Sequence, residues 1–295
     1  MLGLCGGGCL SGPMIAGVEM GGTKTVVAVG ESNGTVHEEF RFPTSDGPAT
    51  FARAIDWLRE RGVPDAVGVA AFGPVSVNPA RKDFGRMLAT PKPGWAGFSI
   101  TETLRAAFPQ AGVSIETDVN AAAIAERDGL DNLIYITIGT GIGGGGIIGG
   151  RMLRGAVHSE FGHWYPRRAP GDDFVGVCPF HDDCLEGLAS GPAMAKRWGK
   201  EAKDLPKDHQ AWEFETHYLA QAVMALLATV CPERVVIGGG VSQCEDFHAR
   251  VESKVRAWSD GYFASLEENR PFVVPPKFDQ QAGIKGALML CAESG

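Results

Sequence analysis

The sequence predicts an α/β protein of two domains. Three observations carry that expectation. Near the start, an apolar strand, a Gly-Gly turn, a second strand, an amphipathic helix and a buried strand follow in order. In mid-chain a second glycine-crowded hairpin recurs, "IYITIGTGIGGGGIIGG". The last third alternates long helical patterns with a short apolar strand, "RVVIG". Strand, turn, strand, helix, strand suits an α/β domain that binds ligands at its strand ends. With 295 residues, 44% of them hydrophobic, the chain is long enough for two cores.

The first hairpin is "IAGVEMGGTKTVVAVG", with the turn at Gly21, Gly22, Thr23 and Lys24. Two glycines let backbone N–H groups approach an anion, and Thr23 and Lys24 add a hydroxyl and a cation. Taken alone, an ordinary hairpin turn is the better explanation. The P-loop spacing GxxxxGK[ST] is absent and no helix follows. Phe51, Ala54, Ile55 and Leu58 recur at helical spacing and predict a helix within residues 50–62. "AVGVAAFGPV" then reads as a buried strand ending in Gly-Pro.

In the second hairpin, residues 139–144 formally match GxGxxG. The dinucleotide reading requires a helix directly afterwards. Here more glycines come first, then "IIGGRML", which has no helical period. The segment is therefore a second anion-cradling hairpin. Two such turns, one in each half, suggest a duplicated domain gripping a polyphosphate across a cleft. Between them "VSIETDVNAAAIAERDG" passes from a short strand into a helix from about Asn120, with Asp118 at the junction. Asp suits a helix N-cap. A carboxylate at a strand end also suits a general base that accepts a hydroxyl proton during phosphoryl transfer. Both roles stay open.

In the last third, residues 212–230 predict a long helix whose stripe of Leu219, Val223, Leu226 and Leu227 is core packing. Residues 234–242 form a strand entering a third glycine loop. Residues 247–258 form an amphipathic helix, and residues 281–293 a terminal one. No low-complexity linker occurs, so the domain boundary is expected at a strand-to-helix crossing near Glu126.

Charge narrows the function. Lys plus Arg number 27 against 35 Asp plus Glu, a net charge of -8, which argues against nucleic-acid binding. Residues 133–150 carry no charge, but eight of the eighteen are glycine, so they read as strand, loop, strand and not as a membrane span. No Lys or Arg precedes Lys24, so a basic signal-peptide region is missing and a cytoplasmic protein is expected. Seven cysteines, an odd number, argue against a disulfide framework. Cys231, Cys244 and Cys291 read as small buried hydrophobes. Cys5 and Cys9 fall in a Gly-rich leader, residues 1–13, that is expected to be disordered, with Met14 a candidate start.

"GAVHSEFGH" and "CPFHDDC" concentrate metal-binding side chains. His158, Cys178, His181 and Cys184 offer two imidazoles and two thiolates, a tetrahedral zinc set. Four protein ligands leave no open position, so this zinc would be structural. The competing reading, unrelated loop residues, is disfavoured by the tightness of "CPFHDDC". His37, His209, His217 and His248 read as surface or helix residues without chemistry.

Several motifs together carry a family resemblance: "GVEMGGTK", "AFGPVSVNP", "ATPKPGW", "ETDVNAAA", "IGTGIGGG", "HSEFGH", "GVCPFHDDCLEGLASGPA" and "VVIGGGV". From Met14 onward the chain resembles the ROK family (repressor, open reading frame, kinase) of sugar kinases, and within it the bacterial zinc-containing fructokinase branch. The resemblance implies an actin-like (ribonuclease H-like) α/β fold. Its two domains, residues 14–126 and 127–295, would flank a deep cleft, with the terminal helix returning to the first. It implies ATP and Mg2+ as cofactors besides structural Zn2+, a hexose substrate, and a homodimer. Asp118 would be the catalytic base. Gly21, Gly22, Thr23 and Lys24 would hold one side of the phosphates; Gly139, Thr140, Gly141 and Gly143 would hold the other. Gly238, Gly239 and Gly240 would lie beside adenosine. Glu160, His163 and Glu186 would bind sugar hydroxyls, held in place by the zinc clip, with a buried structural role the alternative for His163.

Two positions depart from the family pattern. Glu19 stands where many members have a magnesium-linked Asp; Glu is also a hard oxygen ligand. Thr117 stands where many have Asn, and "ETD" resembles the fructokinase branch. The expected reaction is ATP-dependent phosphorylation of fructose to fructose 6-phosphate. The alternatives are glucokinase, mannokinase or N-acetylmannosamine kinase activity. A sugar-sensing repressor would need an N-terminal DNA-binding domain for which the thirteen residues before Met14 are too few. A pseudokinase would not be expected to keep Asp118 and both glycine turns.

Overall fold

The computed structural model describes residues 12–90, 92–266 and 270–292. Cys5, Cys9 and nearly all of the expected leader lie outside the described residues. The chain forms two units. One runs to Asp118 and takes in the residues from Ala287 onward; the other is Val119–Gly286.

In the first unit, β1 (Ile15–Met20) pairs antiparallel with β2 (Lys24–Gly30), and β2 with β3 (Val36–Pro43). α1 (Gly47–Arg59) then leads to β4 (Ala66–Ala71), which lies parallel to β1. α2 (Ile100–Ala107) leads to β5 (Gly112–Thr117), parallel to β4. The sheet order is β3-β2-β1-β4-β5. Val26, Val27 and Ala28 are buried in succession, as in a sheet covered on both faces. α1 begins earlier than its apolar period predicts because Asp46 caps it, accepting from the Ala49 N–H at 2.8 Å, with Pro48 in the first turn. Its predicted stripe, Phe51, Ala54, Ile55 and Leu58, is buried.

The second unit opens at Val119, the second residue of α3 (Asp118–Glu126), and continues with β6 (Leu133–Ile138), β7 (Ile142–Ile148) and β8 (Arg151–Met152) in an antiparallel meander. α4 (Leu185–Ala189), α5 (Gly191–Trp198) and α6 (Ala211–Thr229) follow. β9 (Arg234–Gly238) lies parallel to β6; after α7 (Phe247–Ser259), β10 (Val273–Val274) lies parallel to β9. α8 (Ala282–Met289) ends the series. The order β8-β7-β6-β9-β10 repeats that of the first sheet, strand for strand. No helix of the described residues is long and apolar enough to cross a membrane.

The division falls at Asp118, not at the expected Glu126. The reason is packing. Val119, Ala122 and Ala123 of α3 share a core with Leu133, Tyr135 and Val236. The Asn120 Oδ1 accepts from the Gly146 N–H at 2.9 Å, fastening the helix to β7.

The second glycine run opens on a β6–β7 hairpin with no helix following, which excludes the dinucleotide fingerprint. Four of its eight glycines sit inside β7. A Cβ on Gly144 would lie 2.3 Å from the Phe161 ring, and one on Gly145 would lie 2.4 Å from Asn120 Oδ1. These two glycines admit packed neighbours.

Candidate active site and metal centre

In the first unit the Gly21 N–H donates to the Lys24 carbonyl at 2.9 Å, closing the β1–β2 turn. Gly22, Thr23 and Lys24 are exposed on it. The Thr44 hydroxyl donates to the Gly21 carbonyl and fixes the turn from behind. β1, β4 and β5 run parallel, so their C-terminal ends lie on one side of the sheet, with Glu19, Ala70 and Glu116 in register. Asp118 follows directly at the end of β5, as the first residue of α3.

Glu19 Oε2 is buried without a hydrogen-bond partner. Burial pushes the Glu19 carboxyl up to about 7, and the charge of Asp118 pushes in the same direction. A buried carboxylate with an orphaned oxygen, in the field of a second carboxylate, fits a hard divalent cation such as Mg2+.

In the second unit the Gly139 N–H donates to the Gly141 carbonyl at 2.9 Å, and the Gly191 N–H donates to the Gly139 carbonyl at 2.8 Å. The start of α5 is thereby tied to the β6–β7 turn. Glu186, in the first turn of α4, accepts from the Ile142 N–H at 2.9 Å. A Cβ on Gly141 would lie 2.5 Å from that carboxylate, so any larger residue there would push the Glu186 side chain aside. A cavity of about 360 Å³ opens beside the turn. Gly139, Thr140 and Gly240 line it, joined by Gly191, Pro192, Ala195 and Lys203, which the sequence did not single out. Gly143 and Gly238 lie within β7 and β9, and neither lines this cavity.

The metal cluster differs from its expected composition. His163, Cys178, His181 and Cys184 present ligand atoms within 4.8 Å of one another. His158 is not among them. His163 Nδ1 lies 3.3 Å from His181 Nδ1, 3.8 Å from Cys178 Sγ and 3.6 Å from Cys184 Sγ. A tetrahedral zinc with ordinary bond lengths sets its nitrogens roughly 3.3 Å apart and each nitrogen roughly 3.6 Å from a sulfur. The four atoms therefore fit Zn2+, with His163 in the place expected for His158.

Local structure explains the exchange. Phe161–His163 forms one 3-10 turn that carries His163 to the cluster. Backbone bonds between Cys178 and Asp182, with Asp182 at φ 45°, fold the knuckle that brings Cys178, His181 and Cys184 together. Burial pushes the Cys184 thiol up to about 11; a bound zinc would oppose that shift by taking the thiolate. His158 instead pairs with Glu160, Nε2 to Oε1 at 2.8 Å, and this bond holds the Glu160 carboxyl below its ordinary range.

A model of the ROK family matches residues 15–294. The chain is 39% identical over 285 residues to the fructokinase of Pediococcus pentosaceus, covering 94% of this chain and 97% of that protein. It is 36% identical over 293 residues to the fructokinase of Zymomonas mobilis subsp. mobilis, covering 94% and 96%. Among solved structures, the ROK hexokinase from Thermus thermophilus matches with a TM-score of 0.75 at 26% identity, over 94% of this chain and 97% of that one. The repeated strand order thus belongs to the actin-like fold. On matches that span nearly its whole length, the chain belongs to the ROK family and is an ATP-dependent sugar kinase.

Proposed function

We propose that this sugar kinase is a fructokinase that transfers the γ-phosphoryl group of ATP to the 6-hydroxyl of fructose. The observation that carries the reading is the fructokinase name borne by relatives 36% and 39% identical over 94% of the chain. "ETD" at Thr117 supports it.

In this reading the sugar oxygen bonds to the γ-phosphorus, the bond to the ADP oxygen breaks, and Asp118 accepts the hydroxyl proton. The position of Asp118 at the strand ends supports that role. Glu19 would hold Mg2+, directly or through water, and the cation would supply neutralising charge to the phosphate oxygens. Donors of the Gly21–Lys24 turn and of Gly139, Thr140 and Gly141 bind phosphate oxygens, and adenosine occupies the cavity at Gly240. Glu160 and Glu186 accept from sugar hydroxyls. His163 serves twice: its Nδ1 faces the metal set, which leaves Nε2 for a hydroxyl. His163, Cys178, His181 and Cys184 would hold the zinc, which would be structural because four protein ligands leave no open position. The reading includes a homodimer in the cytoplasm, where ATP is supplied.

A coupled assay with ATP, Mg2+ and a panel of hexoses tests it. Fructose is expected to give the highest kcat/KM. If glucose, mannose or N-acetylmannosamine equals or exceeds it, the fructokinase assignment falls and the sugar-kinase class stands.

A further inference from the structure

Lys92 lies in the loop between β4 and α2, and no step above uses it. Its Nζ donates to the Gly22 carbonyl at 3.0 Å and stands 4.0 Å from the centroid of the Phe72 ring. A Cβ on Gly22 would come within 2.8 Å of that nitrogen, so the ammonium lies directly against the turn. The ammonium also sits in the field of Asp118, which opposes the lowering of its pKa by burial. A half-buried cation is thus packed against the first glycine turn, near the carboxylate assigned as base.

A strut for the Gly22 carbonyl needs one neutral donor. An ammonium has three donors and a full charge, and partial burial of that charge is costly. Gly22 takes one donor and the face of Phe72 engages the cation, which leaves donors for an anion. A phosphoryl group arriving beside Asp118 brings negative charge toward a carboxylate, and a fixed cation at that place offsets the repulsion.

We propose that Lys92 is a phosphoryl-binding residue. Its ammonium binds oxygens of the phosphoryl group in transit, first on ATP and then on the sugar phosphate, and does not bind the unphosphorylated sugar. This rests on the kinase reading of the same site and adds a residue to it.

The test is equilibrium binding of fructose and of fructose 6-phosphate to the wild-type chain, Lys92→Gln and Lys92→Arg, with melting temperature as the folding control. Lys92→Gln is expected to weaken the sugar phosphate about tenfold or more, the scale of a charge-assisted hydrogen bond. Fructose binding should stay within about twofold of wild type. Lys92→Arg, which keeps the charge, should recover most of the loss. In turnover, Lys92→Gln should lower kcat with little change in the sugar KM. Equal loss of both ligands, or loss of neither, overturns the proposal and leaves Lys92 a strut. If another hexose proves to be the substrate, the fructose assignment fails alone, and the same comparison with that hexose and its 6-phosphate decides the role of Lys92.

Discussion

His158 Nε2 and Glu160 Oε1 form a 2.8 Å pair in which the histidine is 8% exposed and the glutamate 55%. The imidazole is the fixed member and holds the carboxylate in place. His158→Ala should therefore raise the sugar KM about tenfold, the worth of one hydrogen bond to a charged group, and leave the KM for ATP near wild type. Steady-state kinetics with each substrate varied in turn reads this. The zinc content of the same variant should be unchanged. Loss of zinc would return His158 to the metal set.

Metal analysis of the purified chain should find about one zinc per molecule. Cys178→Ser, Cys184→Ser or His163→Ala should abolish it. The basis is the 3.3 Å approach of His163 Nδ1 to His181 Nδ1, a distance suited to two nitrogens on one ion. Because the ion stabilises the fold only where it binds, zinc removal should lower the melting temperature. A zinc-free preparation of full stability contradicts the clip.

Asp118→Asn keeps the shape and hydrogen-bonding capacity of the side chain but cannot accept the proton. Turnover should fall by about 10²-fold or more while fructose binding persists. Near-normal kcat in the folded variant sinks the base assignment.

Glu19 supplies a pH signature. Its folded pKa, about 7, lies above the ordinary 4.5. Between those values the folded state holds a proton that the unfolded chain has released. Without Mg2+, stability should therefore fall as pH rises through that window. Urea midpoints at pH 5 and pH 8 in Mg2+-free buffer measure the slope, and Glu19→Gln should flatten it. An unchanged slope in that variant means that the proton resides elsewhere.

Strong periodicities are legible in the sequence: the β1–β2 hairpin, α1, α6 and α7, and the absence of a helix after Gly144. β3 is not, because "VHEEFRFP" mixes charges and aromatics without clean alternation. α2, α4 and α5 are too short, at 8, 5 and 8 residues, for an apolar period to stand out. The metal site shows the limit most sharply. Composition identified the chemistry, two imidazoles and two thiolates. One 3-10 turn decided which histidine of "HSEFGH" faced it. The glycines of β7 teach the same lesson: the sequence shows missing side chains, and only the fold shows that Phe161 and Asn120 occupy the space.

The two sheets share a strand order but not a connection. In the first unit α1 joins β3 to β4, whereas everything from Leu153 to Glu233 intervenes between β8 and β9. β9 pairs with β6 and β10, not with β8, so the sheet closes without using the ladder of the segment that departs from it. The metal knuckle hangs in that excursion. Glu160, His163 and Glu186, the residues proposed to bind the sugar, all lie in the excursion, but Glu186 also accepts from the Ile142 N–H and so couples the excursion to the β6–β7 hairpin. A change of substrate within such a frame would be written in one insertion, would have to spare that bond to the hairpin, and would gain rigidity from a metal bound at the knuckle.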